Sequence, residues 1–267
     1  MQVQQLIVYP LKSTRGITVE NARVDGMGLQ HDRRLGLFDA RGVVITARDF
    51  PAMLDIQCVP EQDGFVIKAP GQPELQIRPG EWQKGLAKLD VWENEAYATS
   101  ADDKINRWFA DYLGAPCRLM VMDERGRRDL PPQVGGQSGD QLSFADECPI
   151  LLAGQASIDD LNARLDDPVP ISRFRPNVVI KGTDAFIEDS WKRISIGAVE
   201  FEVTQQCKRC VLTTIDEDTK QKHPRQEPLR TLTGYRRHPR GGGAFGVHLV
   251  RRSEGTIKLG NSIKVLE

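Results

Sequence analysis

No stretch of this sequence is apolar over anything near the roughly 20 residues that a bilayer-spanning helix needs. The opening MQVQQLIVYPLKS lacks a charged leader followed by a long apolar core, so it reads as a strand and not as a secretion signal. Net charge is lacking too. With 36 Lys and Arg against 37 Asp and Glu, no global field steers the chain towards nucleic acid or a membrane surface, and any anion site must come from local clusters. Cysteine is scarce and scattered, five residues in 267. That is an odd number in a chain too long to need a disulfide framework, so a reducing, cytoplasmic setting is expected. There is no internal repeat and no low-complexity tract.

What is present suits a globular protein of one large domain or two small ones: 39% hydrophobic and 27% charged residues, with ordinary Gly and Pro usage. Short runs rich in β-formers recur at 3–9, 35–38, 43–47, 64–69, 118–122, 177–180, 199–203 and 256–260, with Gly, Pro or Asp clusters between them. The fold class expected is mainly β with some α/β elements, its sheets rolled into barrels and not alternating as βαβ units. Two helices stand out. In SADDKINRWFADYLG, Ser100 caps, Asp103 sits at the third helical position, and Ile105, Trp108, Phe109, Tyr112 and Leu113 share one face before Gly114 ends the helix. In SIDDLNARLDDP, Ser157 and Asp160 repeat the cap pattern and Pro168 closes it. Residues 123–143 and 220–243 read as long loops. The second is locally basic, with Lys222, Arg225, Arg230, Arg236, Arg237 and Arg240 against Glu227 alone. Without stacking aromatics beyond Tyr235, it does not suggest a nucleic-acid surface.

The stretch QQCKRCVLTTIDEDT holds Cys207 and Cys210 around Lys208 and Arg209. A zinc site needs four ligands, and the other cysteines and all four histidines are isolated in sequence. A redox dithiol opens a helix after a strand, whereas VLTTID is β-branched at four of six positions and reads as a continuing strand. Two small residues packed at a strand end is the plainest reading. The neighbouring cations nevertheless favour a thiolate, a thiolate suits a soft metal, and the same cations suit a phosphate.

CKRCVLTTIDEDT resembles the signature of MOSC-domain proteins, which bind the molybdenum cofactor. YPLKSTRG, GLQHDRRLGL, VVITARDFPAM, FADECPILLAGQASIDDLN, FRPNVVIKG, EDSWKRISIGAVEFEV and GTIKLGNSIKVLE extend the resemblance, in order, over nearly the whole chain. The pattern is most similar to members with an N-terminal β-barrel region, the amidoxime-reducing components and their bacterial counterparts. The resemblance implies an N-terminal β-barrel-like region over 1–117 and a MOSC β-barrel domain over 118–267, with a few short helices and with strands exchanged between the two. It implies that Cys210 is the thiolate on molybdenum and Cys207 a bystander. Lys12, Ser13, Arg33, Arg175, Asn177, Lys208 and Arg209 match positions that contact the pterin and its phosphate. Asp146 and Glu147 match the loop approaching the metal, with Asp146 the candidate for a proton relay or water-orienting group. Glu147 and Cys148 stand where the family often has small hydroxyl residues. The activity implied is reduction of small N-hydroxylated compounds by a molybdenum cofactor (Mo-molybdopterin) enzyme; the alternative is a carrier of the cofactor or its sulfur. Pyridoxal phosphate binding is a further family association. Some bacterial relatives continue into a ferredoxin-like domain, and no C-x₄-C-x₂-C run occurs here. Electrons are therefore expected from a separate ferredoxin-like or flavoprotein donor, with no nucleic-acid or membrane partner.

Overall fold

The computed structural model describes residues 1–267, the side chain of Lys84 excepted. The chain is mainly β. Its largest sheet has eight strands in the order Ile263–Val265, Arg193–Ile196, Val199–Lys208, Ala244–Arg251, Ile150–Gly154, Val178–Lys181, Gln2–Val8 and Ile17–Val19. All neighbours run antiparallel except Ile150–Gly154 with Val178–Lys181, a parallel pair joined by a helical crossover. These inner strands are near-continuous apolar runs because both faces are covered; every residue of Ile150–Gly154 is buried. The first two strands of the chain thus complete the sheet of its C-terminal half.

A five-stranded sheet runs Trp82–Val91, Asn94–Ala101, Arg118–Val121, Leu35–Phe38, Val44–Ile45. It shares a core with a three-stranded sheet over Gln57–Glu61, Gly64–Lys68 and Leu75–Ile77 and with α1 (Asp103–Leu113). A second core fills the eight-stranded sheet around Leu6, Ile150, Phe201 and Leu249. Leu212 and Ile215, just beyond Cys210, pack into the first core, so the C-x-x-C segment is anchored from both halves. Among the described residues no helix is long and apolar enough to cross a membrane.

Both predicted helices form, with different starts. α1 begins at Asp103, with Asp102 at the N-cap position but making no side-chain capping bond; Ser100 belongs to the preceding strand, and Gly114 ends the helix in the left-handed conformation at φ 65°. α2 (Gln155–Asn162) begins two residues before Ser157 and ends well before Pro168. Ser157 lies inside it, and the remote Glu188 does the capping, accepting from Gly154 N at 3.0 Å and Ser157 Oγ at 2.9 Å. The stretch VLTTID is not a strand: Val211–Thr214 forms a 3₁₀ turn, closed by Thr213 N and Oγ1 on Cys210 O. The basic segment is not all loop either, since it contains α3 (Leu229–Tyr235), tucked in by buried Leu232.

Candidate functional site

Every site residue expected from the sequence lines one cavity of about 130 Å³. The cavity shares Arg48, Asp146, Glu147, Lys208, Arg209 and Cys210 with a wider outer cleft of about 520 Å³. Strand ends deliver the residues. Lys12 and Ser13 follow Gln2–Val8, Arg33 precedes Leu35–Phe38, and Asp146 and Glu147 precede Ile150–Gly154. Arg175 and Asn177 precede Val178–Lys181, while Lys208 to Cys210 end Val199–Lys208. That last strand slips register twice against Ala244–Arg251, once just before Lys208, and such irregularities re-aim a strand end. Gly246 permits the fit: it has φ 74°, and a Cβ there would stand 2.7 Å from Leu152 O.

Three non-glycine residues of the cavity, Ser13, Arg33 and Arg175, hold φ of 68°, 48° and 54°. Each costs about 1–3 kcal/mol, a cost found chiefly at functional sites. Arg175 departs from the extended conformation expected before Pro176. Tertiary contacts override the local bias: its Nη1 donates to Thr14 O at 2.7 Å, its carbonyl accepts from Arg33 Nη2 at 3.3 Å, and its guanidinium lies 4.1 Å from the Tyr9 ring centre.

Asn177 is 1% exposed, and its side chain makes four hydrogen bonds. Its amide donates to Ile7 O and Asp32 Oδ1 at 3.1 and 2.9 Å; its oxygen accepts from Arg33 Nη1 and Leu151 N at 3.0 and 3.1 Å. That is its full capacity, so Asn177 orients Arg33 and has no bond left for a ligand. Arg33 also pairs with Asp32 at 2.5 Å.

Asp146 accepts three hydrogen bonds and keeps an open face, its side chain about half exposed. Lys12 and Trp92 Nε1 donate to Oδ1, and Arg48 donates to Oδ2 at 3.1 Å. Burial opposes its ionisation, but the Lys12 and Arg48 cations hold the carboxyl far below the usual carboxylate range. Burial brings the Lys12 ammonium down to about 8, with Asp146 resisting. Glu147 pairs with Arg240 at 2.5 Å and faces His248 Nδ1 at 3.9 Å. Burial keeps His248 neutral, lowering it to about 4.

Of the five cysteines, all free, only Cys210 is partly exposed. Cys207 is buried and accepts from Arg209 Nη1 at 2.7 Å; burial raises its thiol, with Arg209 opposing. Arg209 Nη2 donates to Phe174 O at 2.7 Å. The cavity is lined by seven cations, Lys12, Arg33, Arg48, Arg173, Arg175, Lys208 and Arg209, against the carboxylates Asp146 and Glu147. Two of its buried donors, Arg175 Nη2 and Arg209 Nε, have no partner. An anion accepting from these donors would relieve a desolvation cost that each otherwise carries. Sequence reasoning missed Arg48, Trp92, Arg128, Arg173, Arg240 and His248 as lining residues. Arg48 and Arg173 adjoin or fall in motifs that were noticed; nothing local marks Trp92.

Family models match in two blocks: the MOSC N-terminal beta barrel domain over residues 1–116 and the MOSC domain over residues 139–264. The chain is 32% identical over 283 residues to the mitochondrial amidoxime-reducing component 1 of Homo sapiens, covering 99% of this chain and 82% of that protein. It is 32% identical over 244 residues to the human mitochondrial amidoxime reducing component 2, covering 88% and 72%. The molybdenum cofactor sulfurase of Oryza sativa subsp. japonica is 31% identical over 270 residues, covering 93% of this chain and 32% of that protein.

Proposed function

The chain belongs to the MOSC-domain proteins that carry a MOSC N-terminal beta barrel domain, and on that premise we propose that it holds the molybdenum cofactor with its phosphate in the inner cavity and reduces N-hydroxylated compounds. A molybdenum-cofactor-related function follows from the kinship; the reductase is the finer reading. One observation carries it. Segments distant in sequence converge on a cavity whose buried Arg175 Nη2 and Arg209 Nε lack partners and whose rim holds the one partly exposed thiol.

These residues fit the group. Its phosphate suits the ammonium groups of Lys12 and Lys208 as point charges and Arg33, Arg175 and Arg209, whose guanidinium forks match phosphate oxygens. The Cys210 thiolate suits the metal. When bound, the cofactor supplies a two-electron redox centre. The chain supplies the rest. Ser13 lines the anion cradle, Asn177 fixes Arg33, and Glu147 holds Arg240 at the mouth. Asp146 stays ionised, so it orients donors and water and does not deliver protons; it and Phe144 O hold the Lys12 ammonium in the cavity wall. In the reaction the N–O bond breaks as two electrons and two protons enter, giving the N–H compound and water. A separate ferredoxin-like or flavoprotein donor supplies the electrons. A reducing, cytoplasmic setting suits the five free thiols.

The test is molybdenum and pterin content of wild type beside Cys210→Ala, with turnover of an amidoxime under a reduced viologen dye. Expected are near-stoichiometric molybdenum and turnover in wild type, both lost in the variant. Wild type without molybdenum from a cofactor-rich host would overturn the reading. The likeness to a cofactor sulfurase favours one alternative, a carrier of cofactor or sulfur. That reading requires molybdenum in wild type, no turnover, and transfer to a cofactor-free acceptor enzyme.

A further inference from the structure

Trp92 comes from the N-terminal half and stands at the mouth of the cavity. It occupies the tip of the hairpin formed by Trp82–Val91 and Asn94–Ala101. Val91 pairs with Asn94, so Trp92 and Glu93 alone make the loop, and both are left-handed, at φ 57° and 63°. Two-residue loops of this hand favour Asn-Gly; a bulky aromatic at the first position is a poor choice for the turn itself.

The indole is used. Its Nε1 donates to Asp146 Oδ1 at 2.9 Å, and Arg48 lies 4.3 Å from the ring centre while its Nη2 reaches Asp146 Oδ2 at 3.1 Å. These contacts fix the ring, yet the residue stays 38% exposed. It lines the outer cleft with Pro131, Val134 and Leu142, and the same cleft carries Lys208, Arg209 and Cys210. One part of the cleft is therefore apolar with an aromatic face, and another is cationic beside the thiol. Five cations, Arg48, Arg128, Lys208, Arg209 and Arg240, line it against Asp146 and Glu147, a balance that disfavours a cationic guest. Its volume of about 520 Å³ suits a small organic molecule.

We propose that Trp92 is the specificity-determining residue of the outer cleft, its indole taking the flat ring of an uncharged aromatic N-hydroxylated substrate whose N–O head points to Cys210. This rests on the reductase reading of the same site. A ring offset-stacked on the indole gains beyond its buried area, and Arg48 holds the platform in place before the substrate arrives.

The experiment compares wild type, Trp92→Ala and Trp92→Phe on benzamidoxime and acetamidoxime, one head group with and without a ring, under a reduced viologen dye. Molybdenum content is measured in each preparation. The ratio of kcat/KM, ring-bearing over ringless, falls about tenfold in Trp92→Ala, the size of one good aromatic contact. In Trp92→Phe it stays within about twofold of wild type. An unmoved ratio in Trp92→Ala overturns the proposal. So does an equal fall in both variants, which would make the indole N–H and not the ring face the operative group. Calorimetric binding of both amidoximes to the same preparations is the second readout: Trp92→Ala loses preference for the phenyl compound, and a retained preference overturns the proposal. Wild type that reduces neither compound removes the reductase reading, and the calorimetry still decides whether Trp92 holds the ring.

Discussion

Arg33 and Asn177 are held from every side, whereas the Cys210 thiol on the same cavity has no hydrogen-bond partner among the described residues. The first wall is fixed before any ligand arrives, with Arg175 Nη2 alone left open: four bonds on Asn177, the Asp32 carboxylate on Arg33, and the Tyr9 ring under two guanidiniums at 4.5 and 4.1 Å. The second ends a strand that slips register and then turns sharply into 3₁₀. A wall that recognises an anion gains from fixed donors, because no reorganisation is charged to binding. A residue meant to form a bond of its own must instead be left unpartnered.

The comparison breaks most visibly at Asn177. Asn177→Leu keeps the volume but leaves Arg33 Nη1, Leu151 N, Ile7 O and one Asp32 contact without this partner in a buried place. Loss of such a network costs about 3–5 kcal/mol. Urea unfolding of the purified protein checks this; a loss under about 1 kcal/mol would mean that the wall is held by something other than this amide.

His248 tests the same cavity by pH. Its folded value of about 4 lies below the unfolded 6.5, so between these values the unfolded chain binds more protons. The stability it contributes is complete above pH 6.5 and is lost as pH falls towards 4. A full shift of this size amounts to about 3 kcal/mol. Stability measured from pH 7 to 4 should therefore fall less steeply in His248→Gln than in wild type; parallel curves would remove His248 as the cause.

The strands at 35–38, 64–68 and 118–121 were legible because short β-branched and aromatic runs between turn residues carry their own signal. The helix starts were not. Ser157 looks like a cap locally, and only the remote Glu188 carboxylate moves that role elsewhere. Arg175 follows the same rule: Pro176 sets a local preference, and contacts with Thr14 and Arg33 reverse it. Among site residues, those inside motifs were found. Trp92 was not, because its place at the cavity depends on a hairpin whose strands read as polar and unremarkable. Local signals survive where the chain's neighbours are sequential and fail where a distant group decides the geometry.

The smallest effect separates the two thiols. Cys207 is 7% exposed and accepts from Arg209, so Cys207→Ala opens a small cavity and frees a buried donor, for about 1–2 kcal/mol. Cys210 is partly exposed and bonds to nothing through sulfur, so Cys210→Ala should stay within about 0.5 kcal/mol of wild type when both are measured without cofactor. Thiol labelling of the folded protein gives the same order independently. Cys210 should react first with a water-soluble disulfide reagent, and the four buried cysteines only as fast as the chain opens. If Cys207 proved the faster thiol and the milder mutation, the fixed and the waiting sides of this cavity would have to be exchanged.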